Sequence, residues 1–305
     1  MTHTRSALLL GYGYVAKATA PLLRARGFAL SGTTRSPVKA GEMTERGITP
    51  LINPDAVALR TAMREASHIL VSVPPGESGD PVLDMLMPCP ALPKLEWLGY
   101  FSTTGVYGDA AGGWVDEDTP PRPDEARSQR RLTAEQGWQV FSARTRIFRL
   151  AGIYGPGRSA LDRLKDGTAR RIVKPGQVFS RIHVDDIAAA LMASIARPEP
   201  AGPFNLSDDE PAPQADVIAH AAGLLGMDPP PEEAFETAEM SAMMRSFFSS
   251  SRRVSSEKTR TQLGWTLQYP TYREGLAALH SDSIRAASAS AVATSRASSG
   301  PDDRR

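Results

Sequence analysis

The stretch Ala7-Leu8-Leu9-Leu10-Gly11-Tyr12-Gly13-Tyr14-Val15-Ala16 decides the fold. Four apolar residues in a row suit a short strand buried on both faces. The glycine turn then leads directly into a helical period over 15–26. Gly11 permits the tight turn, Gly13 lets the backbone come close to a diphosphate, and Ala16 is small enough for the helix to pack on the strand. The start of the helix, at Tyr14, Val15 and Ala16, offers free N–H groups and a partial positive charge to an anion. In isolation such a G-x-G-x-x-A string also describes an ordinary strand–helix turn. Its weight comes from standing after the first strand of an alternating chain.

That alternation continues. Strand patterns fall at 28–33, 48–52, 69–73, 97–101 and 146–150, with helical periods at 56–65, 81–87 and 124–141 between them. The order predicts an α/β fold, a doubly wound parallel (Rossmann) sheet with a smaller C-terminal substrate-binding subdomain. The expected division is a dinucleotide-binding core over 1–155 and a smaller part over 156–285, with helix 185–196 packing back on the core. Further elements read as a strand at 204–206 and helices at 214–225 and 255–263, with 272–280 closing the fold. Residues 286–305 are small and polar, a composition expected to be disordered.

The 305 residues are 41% hydrophobic and 23% charged, with a net charge of +1. That balance supplies a core and gives no broad attraction to nucleic acid or to an acidic membrane surface. The single cysteine, Cys89, reads as an inert core thiol. The apolar run 7–10 is too short for a signal peptide or a membrane span. The expectation is a cytoplasmic protein that binds small molecules, with a homodimer compatible.

The end of the second strand selects the cofactor. NAD-preferring sites place a carboxylate there for the ribose 2′-hydroxyl. Here Ser31-Gly32-Thr33-Thr34-Arg35-Ser36 has none before Glu42. Arg35 can pair with a 2′-phosphate while Thr34 and Ser36 donate hydrogen bonds, so NADP is the expected cofactor. Val73 and Pro74, after the fourth strand, are expected to border the ribose, although a purely structural turn reads equally well.

Several ordered motifs add to this. Phe101-Ser102-Thr103-Thr104-Gly105-Val106-Tyr107-Gly108 is one, and Arg149-Leu150-Ala151-Gly152-Ile153-Tyr154-Gly155-Pro156-Gly157 another. Arg181-Ile182-His183-Val184-Asp185-Asp186-Ile187-Ala188, Arg253-Val254-Ser255 and Leu263-Gly264-Trp265 follow. Together with the glycine turn they resemble the extended and atypical short-chain dehydrogenase/reductases, the NAD(P)-dependent epimerase/dehydratase superfamily, from about residue 6 to residue 281. The resemblance implies that the stretch ending at Ile153 contacts the nicotinamide and that Thr103 orients the substrate oxygen. It casts His183 and Asp185 as packed support.

One departure is chemically decisive. Counting back from Glu135 puts Arg127 where the family has its catalytic Tyr and Arg131 where it has Lys. A guanidinium stays protonated and has no acceptor lone pair, so Arg127 cannot act as the base. Arg131 can still hold the nicotinamide ribose or a substrate anion. Asp80 is a candidate match for an acid of the atypical subgroup and equally an N-cap. Tyr107, with Tyr154 second, is the candidate proton carrier, although both also read as packing aromatics. Arg122, Arg127, Arg131 and Arg158 suggest a cleft for an anionic or nucleotide-linked substrate. The expected function is an NADP-dependent oxidoreductase or epimerase-like enzyme working by hydride transfer at a hydroxyl or carbonyl carbon. The alternative is a non-catalytic NADP(H)-sensing regulator.

Overall fold

The computed structural model describes residues 5–88, 90–197, 199 and 201–298, so Cys89 lies outside the described residues. Seven parallel strands form the central sheet: β1 (Ser6–Leu10), β2 (Ala29–Thr34), β3 (Ile48–Ile52), β4 (His68–Val71), β5 (Trp97–Thr103), β7 (Thr145–Leu150) and β11 (Gly202–Leu206). Their spatial order is β11-β7-β5-β4-β1-β2-β3, so the direction of winding reverses between β1 and β4. Ligands of open α/β sheets sit beyond the carboxyl ends of the strands at such a reversal.

The leucines of β1 show why the sheet is covered on both sides. Successive strand residues point to opposite faces. Ala7 and Leu9 join one apolar cluster with Ala16, Ala20 and Leu23 of α1 (Tyr14–Ala25) and Ile187 and Leu191 of α7 (Val184–Ala196). Leu8 and Leu10 join another with residues of α3 (Ala56–Glu65), α4 (Pro81–Leu86) and α5 (Ala126–Phe141), among them Leu59, Leu86 and Trp138. Each such side chain stabilises the fold by roughly 1.5–3 kcal/mol when fully buried.

A helix absent from the sequence reading, α2 (Pro37–Glu45), links β2 to β3. Ser36 caps it by accepting from the Lys39 N–H, and Pro37 takes the first turn, where a missing N–H costs nothing. Outside the central sheet, three short strand pairs join segments distant in sequence. β6 (Trp114–Val115) pairs with β13 (Arg253–Val254), β8 (Gly152–Tyr154) with β10 (Arg181–His183), and β9 (Arg171–Val173) with β12 (Glu232–Ala234). Helices α6 (Ala160–Lys165), α8 (Gln214–Leu225) and α11 (Tyr272–Ser298) pack around Leu161, Ile218, Tyr272 and Leu276. The short helices α9 (Ala242–Phe247) and α10 (Glu257–Leu263) complete the chain.

Two expectations change. Residues 286–298, expected to be disordered, continue α11. The segment is rich in alanine, the strongest helix former, and holds no Gly or Pro to stop the helix begun at Tyr272. The remainder of that tail, 299–305, lies outside the described residues. The sheet also does not end at residue 155, because β11 pairs with β7 from Gly202 opposite Arg146 to Leu206 opposite Leu150. Among the described residues no helix is long and apolar enough to cross a membrane.

Candidate functional site

A cavity of about 1280 Å³ opens at the carboxyl ends of β1, β4, β5 and β7. Gly13, Tyr14, Val15 and Ala16 line one end of it, followed by Ser72, Pro74 and Pro75, then Phe101 to Gly105, then Leu150 to Tyr154. Each group follows a different strand, which is how a parallel sheet assembles a site from distant sequence.

The glycine turn is built for an anion. Gly11 adopts φ +91°, and a Cβ there would stand 2.8 Å from Ser72 Oγ, so a side chain is excluded twice over. Ser72 Oγ also donates to the Gly11 carbonyl at 2.7 Å. Gly13 precedes α1 with no side chain capping the helix, and a Cβ there would meet nothing within 4 Å. Uncapped N–H groups therefore face open space in the cavity, a fit to a phosphate. Ala16 is fully buried against the sheet.

The end of β2 is tied to this turn. Thr33 accepts from Gly11 N–H through its hydroxyl at 2.8 Å and from Tyr12 N–H through its carbonyl at 3.2 Å. Thr34 accepts from Ser36 N–H through its side chain, and Ser36 serves as the cap of α2, so both hydroxyls have local structural partners. Arg35 is exposed beside them and forms no ion pair among the described residues. Val73 packs against the apolar cluster that holds Leu8 and Leu10 and does not line the cavity, whereas Pro74 does.

Thr103 lines the cavity at the end of β5. Its oxygen accepts from Gly105 N–H at 3.1 Å, which starts a turn of 3₁₀ helix over Thr104–Tyr107 and leaves its own proton free to donate. Sequence reasoning missed Ser128. A Cβ on Gly105 would lie 2.7 Å from Ser128 Oγ and 3.3 Å from Thr103 Oγ1, so both hydroxyls flank the room that a side chain at Gly105 would fill. Ser128 is buried and lines the cavity. Its signal in the sequence was only its place beside Arg127.

Tyr107 requires correction. It does not line the cavity. Its hydroxyl donates to Asn205 Oδ1 at 2.8 Å and accepts from Arg149 Nη1 at 3.1 Å, and burial pushes it above the usual phenol range. Arg149 in turn forms a buried bidentate pair with Glu135, at 2.8 and 3.1 Å. Asn205 N–H donates to Glu117, which also accepts from Thr259. Tyr107 is thus one link in a buried polar chain joining α5, β7, β11 and α10, and it cannot trade protons with a ligand.

Tyr154, the second candidate carrier, and the other titratable groups nearby fare no better. Tyr154 lines the cavity, but its hydroxyl points to the Thr271 carbonyl at 3.5 Å and burial raises its pKa further. Tyr14 donates to the Pro156 carbonyl and is pushed up to about 12 by burial. Asp80 caps α4 through Val82 and Leu83 N–H and accepts from Trp138 Nε1, so it is a buried N-cap rather than an active-site acid. His183 accepts from Asp185 N–H at the start of α7 and packs edge-on against Tyr154 and Tyr269.

Seven arginines and four carboxylates line the cavity, which therefore favours an anion. Arg131 donates to the Phe101 carbonyl at 2.7 Å and to Tyr100 Oη at 3.1 Å, both neutral acceptors. Arg158 lies over the Tyr14 ring and Arg127 pairs with Glu125. Arg122 does not line the cavity. Arg130, Arg163, Arg181 and Arg252, which sequence reasoning did not single out, do. Among the described residues no group of three or more His, Cys, Asp and Glu is placed to hold a metal ion.

No family model matches the chain. A functionally unknown conserved protein from Silicibacter pomeroyi is 44% identical, with a TM-score of 0.83 over 92% of this chain and 99% of that one. The chain belongs to the family of that protein. A 3-diazoavenalumate denitrifying reductase from a Streptomyces species is 32% identical over 180 residues, 53% of this chain. The matched stretch spans 58% of that relative's length. The human epimerase family protein SDR39U1, solved with NADPH, is 15% identical with a TM-score of 0.72 over 90% of this chain and 99% of its own. The resemblance read from the motifs holds at the level of the fold, which is that of NAD-dependent epimerase/dehydratase proteins.

Proposed function

We propose that the chain is an NADP-dependent reductase of a small anionic molecule, working by hydride transfer in the cavity beside Thr103. The observation that carries this reading is the uncapped start of α1 at the point where the sheet's winding reverses, with Gly13 open to the cavity. The NADPH-bound epimerase-family structure and the reductase relative support a nicotinamide cofactor and the reductive direction. The choice of NADP rests on exposed Arg35 and on the absence of a carboxylate at the end of β2.

When bound, the nicotinamide supplies a hydride. The chain's own residues do the rest. Amides of Tyr14, Val15 and Ala16 would hold the diphosphate, Pro74 and Ile153 would wall the nicotinamide side, and Arg35 would pair with the 2′-phosphate. Thr103 would donate a hydrogen bond from its hydroxyl to the substrate oxygen while Gly105 N–H fixes the rotamer. Arg131 holds β5 to α5 through the Phe101 carbonyl and adds positive potential. The proton that completes an alcohol comes from water reaching the open cavity, because no tyrosine of lowered pKa faces it.

That last feature favours a second reading, an NADP(H) sensor without turnover. Titration of the purified protein with NADPH and NADH tests the cofactor site. NADPH is expected to bind at least about ten-fold more tightly, a difference that Arg35→Asp abolishes. Equal affinities in the parent protein overturn the NADP assignment. Loss of NADPH absorbance with any of a panel of carbonyl compounds separates the enzyme from the sensor.

A further inference from the structure

The strongest unexplained feature is α9. None of its residues is buried, although it carries Met243, Met244 and Phe247, with Met243 71% and Phe247 51% exposed. It is not a loose end. Phe248, directly after it, is 2% exposed and packs against Phe179 and Phe235. Arg245 donates to the Ala238 carbonyl and lies over the Phe235 ring. Ser249 donates to Glu125 at the start of α5. The helix is anchored at its back and its C-terminal end while its methionines and phenylalanine line the cavity.

Their neighbours on the facing wall are cationic. Arg127 lies 4.2 Å over the Phe247 ring, and Ser128 follows it directly beside Thr103. One turn along α5, Arg130 lines the cavity with its Nε buried and without a partner, and it forms no ion pair among the described residues. A guanidinium N–H buried without a partner is costly, and a ligand anion relieves that cost.

We infer that the reading of the cavity as a hydride-transfer site, on which this proposal rests, can be narrowed to one substrate class: a planar aromatic carboxylate. Its ring lies between Phe247, Met243 and Met244, and its carboxylate meets Arg130. Aromatic rings gain from edge or offset contact with Phe and from thioether sulfur. A nucleotide-linked sugar is a poor fit, because its hydroxyls would be buried against methionine and phenylalanine without partners.

Calorimetry with trans-cinnamate, cyclohexanecarboxylate and UDP-glucose, on the free and the NADP-saturated protein, tests this. Cinnamate is expected to bind about ten-fold more tightly than cyclohexanecarboxylate, and UDP-glucose more weakly than either. Phe247→Ala and Arg130→Ala should each weaken cinnamate about ten-fold while leaving NADP affinity unchanged. Phe247 contributes no buried contact to the fold, so its variant remains folded. No cinnamate binding, tighter binding of UDP-glucose, or cinnamate affinity unchanged in Phe247→Ala overturns the proposal. If NADP fails to bind, the cofactor reading falls, and the free-protein titrations decide the aromatic subsite by themselves.

Discussion

Tyr107 sits four residues after Thr103, and sequence spacing makes it a natural proton carrier. The fold turns it inward. The 3₁₀ turn begun by Thr103 buries the ring beside Val115 and Val254, and its hydroxyl partners are Asn205 and Arg149, 98 and 42 residues away in sequence. No local pattern announces contacts of that separation. Thr103, Gly11 and Gly13 were legible because turn chemistry is local, whereas Ser128, Arg130 and the tyrosine's true partners depend on tertiary packing. Tyr107→Phe strips a donor from Asn205 and an acceptor from Arg149, so stability should fall by about 1–3 kcal/mol in urea unfolding. NADPH affinity and any measured turnover should stay within two-fold or so. A hundred-fold loss of turnover at unchanged stability would return the residue to catalysis.

At the scale of elements, the strands of the central sheet were legible from their apolar runs and α1 from its glycine turn, whereas the short paired strands outside it were not. The helix α2 was missed even though Ser36-Pro37 is a start signal, since its buried residues are only Ala40 and Met43. The helix α9 left no trace, because its apolar residues face a cavity instead of the core. The start of α7 carries a consequence for pH. Asp186 accepts from the backbone N–H groups of Gln268 and Tyr269, and so holds the segment before α11. Burial outweighs those bonds and, with Asp185 adding repulsion, pushes its pKa up to about 6. An unfolded aspartate titrates near ~3.9. The folded chain therefore holds this proton more tightly. The stabilisation from that binding is complete below about pH 4 and is lost as pH rises through about 6. In melting curves between pH 4 and pH 7, the stability of the parent protein relative to Asp186→Asn should fall as pH rises. A gap independent of pH would sink this assignment.

For the whole molecule, the informative contact is the one between β7 and β11. The expected boundary at residue 155 cuts through the central sheet, because a strand from 202–206 forms its edge and supplies Asn205 to the buried polar chain. A fragment of residues 1–155 would expose the whole hydrogen-bonding edge of β7 and leave the buried Tyr107 hydroxyl without its acceptor, Asn205. Such an edge recruits other chains. Gel filtration of that fragment should show aggregates, and near-ultraviolet circular dichroism should show no cooperative melt; a monomer with a sharp transition would establish the boundary. The same pairing sets a timetable for synthesis. A nascent chain leaves the ribosome from its N-terminus, so the nucleotide-binding turn emerges early while the sheet's outer edge waits for residue 206. Throughout that interval the growing polypeptide presents an unpaired flank to its surroundings, a period in which a chaperone has something to shield.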